Sequence, residues 1–300
     1  MLVVHGRGQL GRDTAEVRRD ALYALQSGAR ALTGDSLLRA GDVRLVWYAD
    51  LLDTRARRAT TTACIDGDSL ERESAVAPEP NALGLLASLA GAIIDAAADD
   101  TPGEGGLDVR RIGSDLRYVA DPETRCAARL RVSHALHDAA REGRPIILVA
   151  HSFGAFVAWD HLRLRVAHGR AALPLVARFV TMGSPLGSAE LRQLVFGEEP
   201  APLSLPTGVS AWTNVIGAGD PVALRITDSD STGASVGHAA SPLSDIASGS
   251  QADDPHVLAS YLHDGVTTRV VLGAWCNAFS KAPRSVQGSC GKLDASATPR

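Results

Sequence analysis

A serine in the middle of the chain lies between two apolar segments that differ in their predicted structure. Residues 145–149 favour a buried strand, and residues 155–159 favour a helix. The pentapeptide Ala-His-Ser-Phe-Gly at 150–154 joins them. A sharp strand–turn–helix junction exposes a serine Oγ at the carboxyl end of a sheet, and small residues flank it because strand and helix approach closely there. Ser152 is therefore the candidate nucleophile for acyl transfer, with Ala150 and Gly154 as its small neighbours.

A glycine-containing turn follows the first apolar run of the chain, residues 2–4. Its sequence is His5-Gly6-Arg7-Gly8, in which glycines let the backbone turn an N–H towards a substrate carbonyl oxygen. We expect the N–H groups of Arg7 and Phe153 to bind a developing oxyanion together, a task worth roughly 10²–10³ in rate per donor. The alternative is an ordinary strand-end turn. Two kinds of partner suit the Arg7 guanidinium: an anionic group of the substrate or an acidic side chain at the surface.

A serine becomes an effective nucleophile only when a base accepts its proton and a carboxylate orients that base. Asp220 directly follows the predicted strand 211–216 and a Gly-Ala-Gly turn, and His256 precedes the apolar segment 257–262. We therefore expect Asp220 as the acid and His256 as the base. Asp220 has a simple alternative role as a turn residue before Pro221. The other candidates are Asp228 and Asp230 for the acid and His238 and His263 for the base.

The elements that position these residues alternate between strand and helix along the chain. Strands are predicted at 2–4, 43–48, 146–149, 177–182 and 211–216, and helices at 12–32, 121–142, 155–167 and from 256 to about 276. Such alternation predicts an α/β fold with a mostly parallel sheet and helices on both faces. Ser152, Asp220 and the glycine-containing turn at 5–8 all follow predicted strands, at the edge where parallel sheets bind ligands.

Three segments stand outside this alternation. Residues 50–106 are a possible cap or insertion, and within them the apolar stretch 82–94 predicts either a lid helix or a helix packed on the sheet. Residues 227–254 are rich in Ser, Gly and Asp and predict mostly loop. The tail 280–300 has few apolar residues and predicts disorder. The remainder, 1–279, is expected to form one domain.

Taken together, these motifs resemble a serine hydrolase of the α/β-hydrolase superfamily, on the lipase/esterase side. Gly-Ser-Pro at 183–185 and Asp-Pro-Val at 220–222 are similar to the branch that contains lecithin:cholesterol-acyltransferase-like and bacterial lipase-like proteins. The resemblance implies an α/β-hydrolase fold of about six strands that starts at the superfamily's third strand. It also implies cleavage of an apolar or lipid carboxylic ester through an acyl-enzyme, with no cofactor or metal. A thioesterase, acyltransferase or amidase would use the same residues, and a non-catalytic binding protein on this fold is the alternative outside enzymes.

Composition excludes several other classes. The chain has 300 residues, a net charge of −4 at pH 7 and 45% hydrophobic residues, so it lacks the basic footprint of a nucleic-acid-binding protein. No stretch reaches the ~18 apolar residues of a membrane span. A strand at the first residues leaves no room for a leader, and four scattered cysteines without a C-x-x-C predict free thiols in a reducing, cytoplasmic setting. His134 and His137 are expected on a solvated helix face. The oligomeric state is left open.

Overall fold

The computed structural model describes residues 1–53, 117–119, 121–167, 174–196, 202–227, 242–249, 254–278 and 284–295. The strands in these residues are β1 (Leu2–Val4), β2 (Arg44–Val46), β3 (Ile146–His151), β4 (Val176–Met182), β5 (Trp212–Gly217) and β6 (Leu243–Ser248). The helices are α1 (Thr14–Thr33), α2 (Pro122–Arg141), α3 (Phe153–Ala167), α4 (Ala189–Phe196), α5 (Leu258–His263), α6 (Gly265–Ala278) and α7 (Arg284–Ala295). The segment 82–94, most of the expected cap 50–106, Asp228, Asp230 and His238 lie outside the described residues.

The six strands form one parallel sheet in the order β2-β1-β3-β4-β5-β6. The predicted α/β architecture with a mostly parallel sheet of about six strands is confirmed. The chain runs to one side of β1 to make β2 and then to the other side to make β3 to β6. Ligands of open parallel sheets bind beyond the carboxyl ends of the strands where the order reverses, here between β1 and β3.

Both faces of the sheet are buried, as the near-continuous apolar sequence of β3 requires. Ile146, Leu148 and Ala150 belong to an apolar cluster with side chains of α2 and α3. Their neighbours Ile147 and Val149 belong to a second cluster, with side chains of α1 and α6. The helices therefore cover both faces, and the loops at the strand ends remain as the place for chemistry.

A buried ion network joins α2 to α3, the helix that begins at the candidate serine. The Asp160 carboxylate accepts from the Tyr118 hydroxyl at 2.8 Å, from Arg129 at 3.1 Å and from Arg163 Nε at 3.0 Å. Burial pulls the pKa of Asp160 upwards, but the charges of Arg129 and Arg163 outweigh it and lower that pKa. A buried carboxylate with these partners fixes the two helices to each other.

Removing the Asp160 charge should destabilise the fold strongly. In Asp160→Asn, Arg129 loses its buried counter-charge, so the free energy of unfolding should fall by about 3–5 kcal/mol. Urea unfolding measures the change. The matched control is Asp138→Asn, which removes an exposed i,i+3 ion pair with Arg141 and should cost less than about 1 kcal/mol. Equal effects of the two substitutions would contradict a structural role of the buried network.

The prediction of free thiols is wrong. Cys276 and Cys290 form a disulfide with their Cα atoms 5.7 Å apart, and Cys126 is disulfide-bonded as well; Cys64 lies outside the described residues. Sequence spacing did not reveal the pairing because the chain returns between α6 and α7. Disulfides are typical of oxidising compartments, so the thiol-based reason for a cytoplasmic location falls away. In the described part of the chain, every helix is too short or too polar to cross a membrane.

The prediction of a disordered tail is wrong for residues 284–295, which form α7. The disulfide ties α7 to α6, and Lys292 Nζ donates to the carbonyl oxygen of Thr33 at 2.8 Å, at the end of α1. Leu293 is buried in the cluster beneath α1 and α6. The disulfide and the buried Leu293 therefore stabilise a helix that the polar composition of this segment does not predict.

The sixth strand was also missed, because β6 lies within 227–254, where the sequence predicts mostly loop. It carries two large apolar residues, Leu243 and Ile246, and most of its side chains are only half-buried at the edge of the sheet. A half-exposed edge strand has little of the apolar signal that marks β3. The segment after His256, where the sequence predicts one helix, forms the two helices α5 and α6.

Candidate active site

The turn at the end of β3 holds Ser152 in a strained backbone conformation. Its φ is 53°, in the left-handed region that non-glycine residues rarely adopt. The Ser152 N–H donates to the carbonyl oxygen of Met182 on β4 at 2.9 Å, so the neighbouring strand fixes the turn. The next residue, Phe153, begins α3. The sequence-predicted strand–turn–helix junction is therefore present at this serine.

Backbone contacts between β1, β3 and α3 explain the glycines at this junction. A Cβ at Gly154 would lie 2.2 Å from the carbonyl oxygen of His5 and 2.9 Å from that of Val4. A Cβ at Gly6 would lie 2.9 Å from Cβ of Ser152. The same Cβ would lie 2.7 Å from Nδ1 of His151. Glycine at both positions therefore lets the loop after β1, the serine turn and the start of α3 approach closely.

Adding a methyl group at Gly154 should destabilise the protein, because the atoms it meets belong to backbone that cannot rotate away. Overpacking of this kind costs roughly 1–3 kcal/mol, so Gly154→Ala should lower the midpoint of chemical unfolding accordingly. The control is Gly273→Ala on α6, where no heavy atom lies within 4 Å of the added Cβ. There the gain in helix propensity should stabilise by up to about 1 kcal/mol. If Gly154→Ala were as stable as the control, the close approach would not be real.

Three side chains from different loops form one hydrogen-bonded series. Ser152 Oγ lies 2.9 Å from Nε2 of His256, and Nδ1 of His256 lies 2.9 Å from Oδ2 and 3.1 Å from Oδ1 of Asp220. The Asp220 side chain is fully buried, whereas that of His256 is 27% exposed. An ionised carboxylate only accepts, so Nδ1 carries the imidazole proton and Nε2 is left to accept from the serine. The series can therefore move a proton from Ser152 to His256.

The carboxylate of Asp220 is held from three sides. Besides His256, the backbone N–H of Val222 donates to Oδ1 at 2.9 Å and the Tyr261 hydroxyl donates to Oδ2 at 2.5 Å. Burial works to raise the pKa of Asp220, but His256, Tyr261 and the Val222 N–H together lower it. The group is therefore ionised throughout the neutral range. Sequence analysis assigned no role to Tyr261, which lies five residues after His256.

The loop that carries Asp220 is anchored to the missed strand β6. Asp245 on β6 accepts from the N–H groups of Ile226 and Thr227 at 2.9–3.1 Å. Asn214 on β5 donates both to Asp245 at 2.7 Å and to the carbonyl oxygen of Leu224 at 2.9 Å. The segment after the acid is thereby fixed to the sheet, which limits the movement of Asp220 itself.

His151, beside the serine, supports the backbone of the base. Its Nε2–H donates to the carbonyl oxygen of His256 at 2.7 Å, and the two rings lie 5.0 Å apart. Burial, followed by the charge of His256, lowers the pKa of His151 to about 3. His151 is therefore neutral at ordinary pH. It is thus a packed residue with a backbone partner.

His5 orients the loop after β1. Its Nδ1–H donates to the carbonyl oxygen of Gly6 at 2.7 Å, its Nε2 accepts from the Tyr48 N–H at 3.2 Å, and the His5 and Tyr48 rings stack at 4.2 Å. Burial lowers the pKa of His5 to about 4. Because the Gly6–Arg7 peptide is planar and trans, a carbonyl held by the His5 ring directs the Arg7 N–H away from that ring.

The second expected N–H donor belongs to Phe153, the first residue of α3. The first N–H groups of a helix have no intrahelical acceptor, and the helix N-terminus carries partial positive charge. Phe153 directly follows Ser152, so its N–H is one of these groups. That the N–H groups of Arg7 and Phe153 bind an oxyanion together stays a prediction. The Arg7 side chain is half-exposed and Gly8 is exposed, with φ of 74°.

The remaining sequence candidates that the structure describes are exposed and do not join this series of hydrogen bonds. His263 is exposed on α5, and His134 and His137 are exposed on α2, as expected for a solvated face. Among the residues that the structure describes, no three His, Cys, Asp or Glu side chains are grouped in a way that could hold a metal ion. Comparison with protein-family models, with curated proteins and with solved structures finds no match to this chain. The chemistry of the site must therefore be inferred from its own geometry.

Proposed function

We propose that the protein is a serine hydrolase with an α/β-hydrolase fold that cleaves a carboxylic ester through an acyl-enzyme intermediate. The observation that carries this proposal is the hydrogen-bonded series from Ser152 Oγ through His256 to the buried Asp220 carboxylate. The three residues also occur in the chain order serine, acid, histidine of that superfamily. The positive φ of Ser152 and the all-parallel sheet support the fold assignment.

In the proposed reaction, Ser152 Oγ attacks the ester carbonyl carbon while His256 Nε2 takes the hydroxyl proton. The carbonyl π electrons move to the oxygen, which is stabilised by the N–H groups of Arg7 and Phe153. The tetrahedral intermediate then collapses, the carbon–oxygen bond to the alcohol breaks, and His256 returns its proton to the departing oxygen. Water attacks the acyl-enzyme by the same steps and releases the acid. Asp220 keeps the proton on Nδ1 and stabilises the imidazolium.

The side chains next to the reacting group support an apolar acyl ester as the substrate. Phe153 packs edge-on against Tyr118 at 5.3 Å in the apolar cluster on one face of the sheet. Val257, next to the base, and Leu224, on the acid loop, are large apolar side chains with substantial exposure. Apolar side chains around the site favour a substrate with an apolar acyl chain over a charged substrate.

A fluorophosphonate probe and a series of p-nitrophenyl esters test the proposal. The wild-type protein should gain the mass of one phosphonyl group and should hydrolyse the esters. Its preference among acyl chains indicates the size of the acyl pocket. Turnover of acyl thioesters, acyl transfer to an added alcohol or cleavage of anilides would separate a thioesterase, acyltransferase or amidase with the same residues. A protein that neither reacts with the probe nor turns over any of these substrates is a binding protein, and the proposal fails.

A further inference from the structure

The hydroxyl of Tyr261 is hydrogen-bonded on two sides. It donates to Oδ2 of Asp220 at 2.5 Å and accepts from the Gly217 N–H at 3.0 Å. Because an amide N–H only donates, the phenol proton is directed to the carboxylate. Burial, followed by the hydrogen bond to Asp220 and its charge, raises the pKa of Tyr261 far above its ordinary value, so the phenol is protonated wherever the enzyme would work.

The oxygen that accepts from Tyr261 is the same Oδ2 that accepts from His256 Nδ1 at 2.9 Å. Hydrogen bonds to the ionised form of a carboxylate stabilise its charge without requiring a charged histidine. A carboxylate that is already stabilised in this way attracts the proton of the imidazolium less. The phenol and the imidazole thus compete for one oxygen.

The ends of two strands leave space for this phenol. A Cβ at Gly217, the last residue of β5, would lie 2.5 Å from the Tyr261 hydroxyl oxygen. A Cβ at Gly183, directly after β4, would lie 3.0 Å from Oδ2 of Asp220 and 3.1 Å from Cε2 of Tyr261. Any larger residue at either position would displace the ring from the carboxylate. The contact is therefore built into β4, β5 and α5 together.

We propose that Tyr261 is a positioning residue that stabilises the charge of the Asp220 carboxylate opposite His256 and so sets the pH at which His256 becomes a free base. The inference rests on the proposed function, since it concerns the base of that site. The phenol does not touch the reacting atoms and acts only through Asp220. Its loss should leave the carboxylate in place, because the Val222 N–H still donates to Oδ1.

The groups that face His256 determine the sign of the effect. Asp220 faces it from the loop after β5, Asp254 accepts its backbone N–H at 3.1 Å, and His151 faces it from β3. His151 is neutral with a pKa of about 3, and so is His5 behind it with a pKa of about 4. In the described part of the chain, the charged groups that face His256 are thus the two carboxylates. Without the phenol proton, Asp220 attracts the imidazolium more strongly, and His256 should be protonated at higher pH.

The test is the pH profile of Tyr261→Phe. The acid limb of kcat/KM for a p-nitrophenyl ester should move to higher pH by about one unit, the size expected for one lost hydrogen bond to a charged group. The acid limb of fluorophosphonate labelling should move with it. Tyr23→Phe is the control, since Tyr23 is 67% exposed on α1, and its profile should match wild type. An unchanged midpoint, or a shift to lower pH, would overturn the proposal even if the variant were less stable.

A second variant guards against simple loss of folding. Site-specific replacement of Tyr261 by 3-fluorotyrosine keeps the ring and makes the phenol a stronger donor, so the acid limb should move to lower pH. NMR titration of the His256 imidazole in both variants gives the same midpoints without any turnover. If wild type proved inert to probe and esters, the proposed function would fail, whereas the NMR midpoints would still decide the role of Tyr261. Midpoints that do not differ between the variants would overturn that role.

Discussion

Replacing Ser152 with alanine should abolish fluorophosphonate labelling and reduce ester turnover by roughly 10⁶-fold, the size of effect seen when an activated serine is removed. The reason is geometric. Ser152 Oγ lies 2.9 Å from His256 Nε2 and directly before the N-terminus of α3, whose partial positive charge favours an oxyanion. An alanine methyl group supplies neither the nucleophile nor the proton. Intact-protein mass spectrometry and stopped-flow or plate-reader assays measure the two effects.

Stability should hardly change in the same variant. Alanine is as strained as serine at a φ of 53°, and the lost hydrogen bond to His256 costs only about 1 kcal/mol. Ser184→Ala is the matched control, because Ser184 is a buried serine in the adjacent loop after β4, whose Oγ accepts from the Leu186 N–H. It should keep both labelling and turnover. Labelling that persisted in Ser152→Ala, or disappeared in Ser184→Ala, would place the nucleophile elsewhere.

The strongest sequence signals came from segments that are buried on both sides. The strand β3 is apolar from Ile146 to Ala150. β1 is apolar throughout and β4 is mostly so, which is why the central strands and the carboxyl-edge placement of Ser152 could be predicted. Asp220 was found in the same way, because it follows a buried strand and a glycine turn. Burial on two faces leaves a pattern that short-range sequence reading can detect.

The features that were missed depend on contacts between distant segments. The strand β6 has weak apolar character, and what keeps it in place is its ladder with β5 and the bonds that Asp245 makes to the acid loop. The disulfide between Cys276 and Cys290 required the chain to turn back between two helices. The bond from Tyr261 to Asp220 could not be predicted, because a hydroxyl directed at a carboxylate 41 residues away in sequence leaves no local pattern.

His5 and His151 combine a position that can be predicted from sequence with a contact that cannot. His5 and His151 stand in recognisable motifs, yet their motifs do not reveal that each donates to a backbone carbonyl oxygen, that of Gly6 and that of His256 respectively. Their side chains therefore orient a peptide near the candidate oxyanion site and the backbone of the candidate base. The sequence can predict that such residues lie near the candidate active site. Only the tertiary structure shows which atom each side chain contacts.

Replacing His256, the candidate base, or Asp220, which fixes its tautomer, should also lower ester turnover severely. His256→Ala should lower ester turnover by several orders of magnitude. Asp220→Asn should cost roughly 10⁴, because an amide at this position can donate to Nδ1 and so favours the tautomer whose Nε2 cannot accept the serine proton. Steady-state turnover of a p-nitrophenyl ester measures both losses. Circular dichroism and thermal unfolding establish that the variants are folded.

The control for the base is His263→Ala. His263 lies on α5, seven residues after His256, but it is exposed and should leave turnover within about twofold of wild type, as surface substitutions do. Added imidazole should partly restore His256→Ala, since the His256 side chain is 27% exposed and its removal opens a path from solvent to Ser152. If His256→Ala kept wild-type turnover while His238→Ala lost it, the loop 227–254 would supply the base. The 2.9 Å contact between Ser152 and His256 would then have no part in proton transfer.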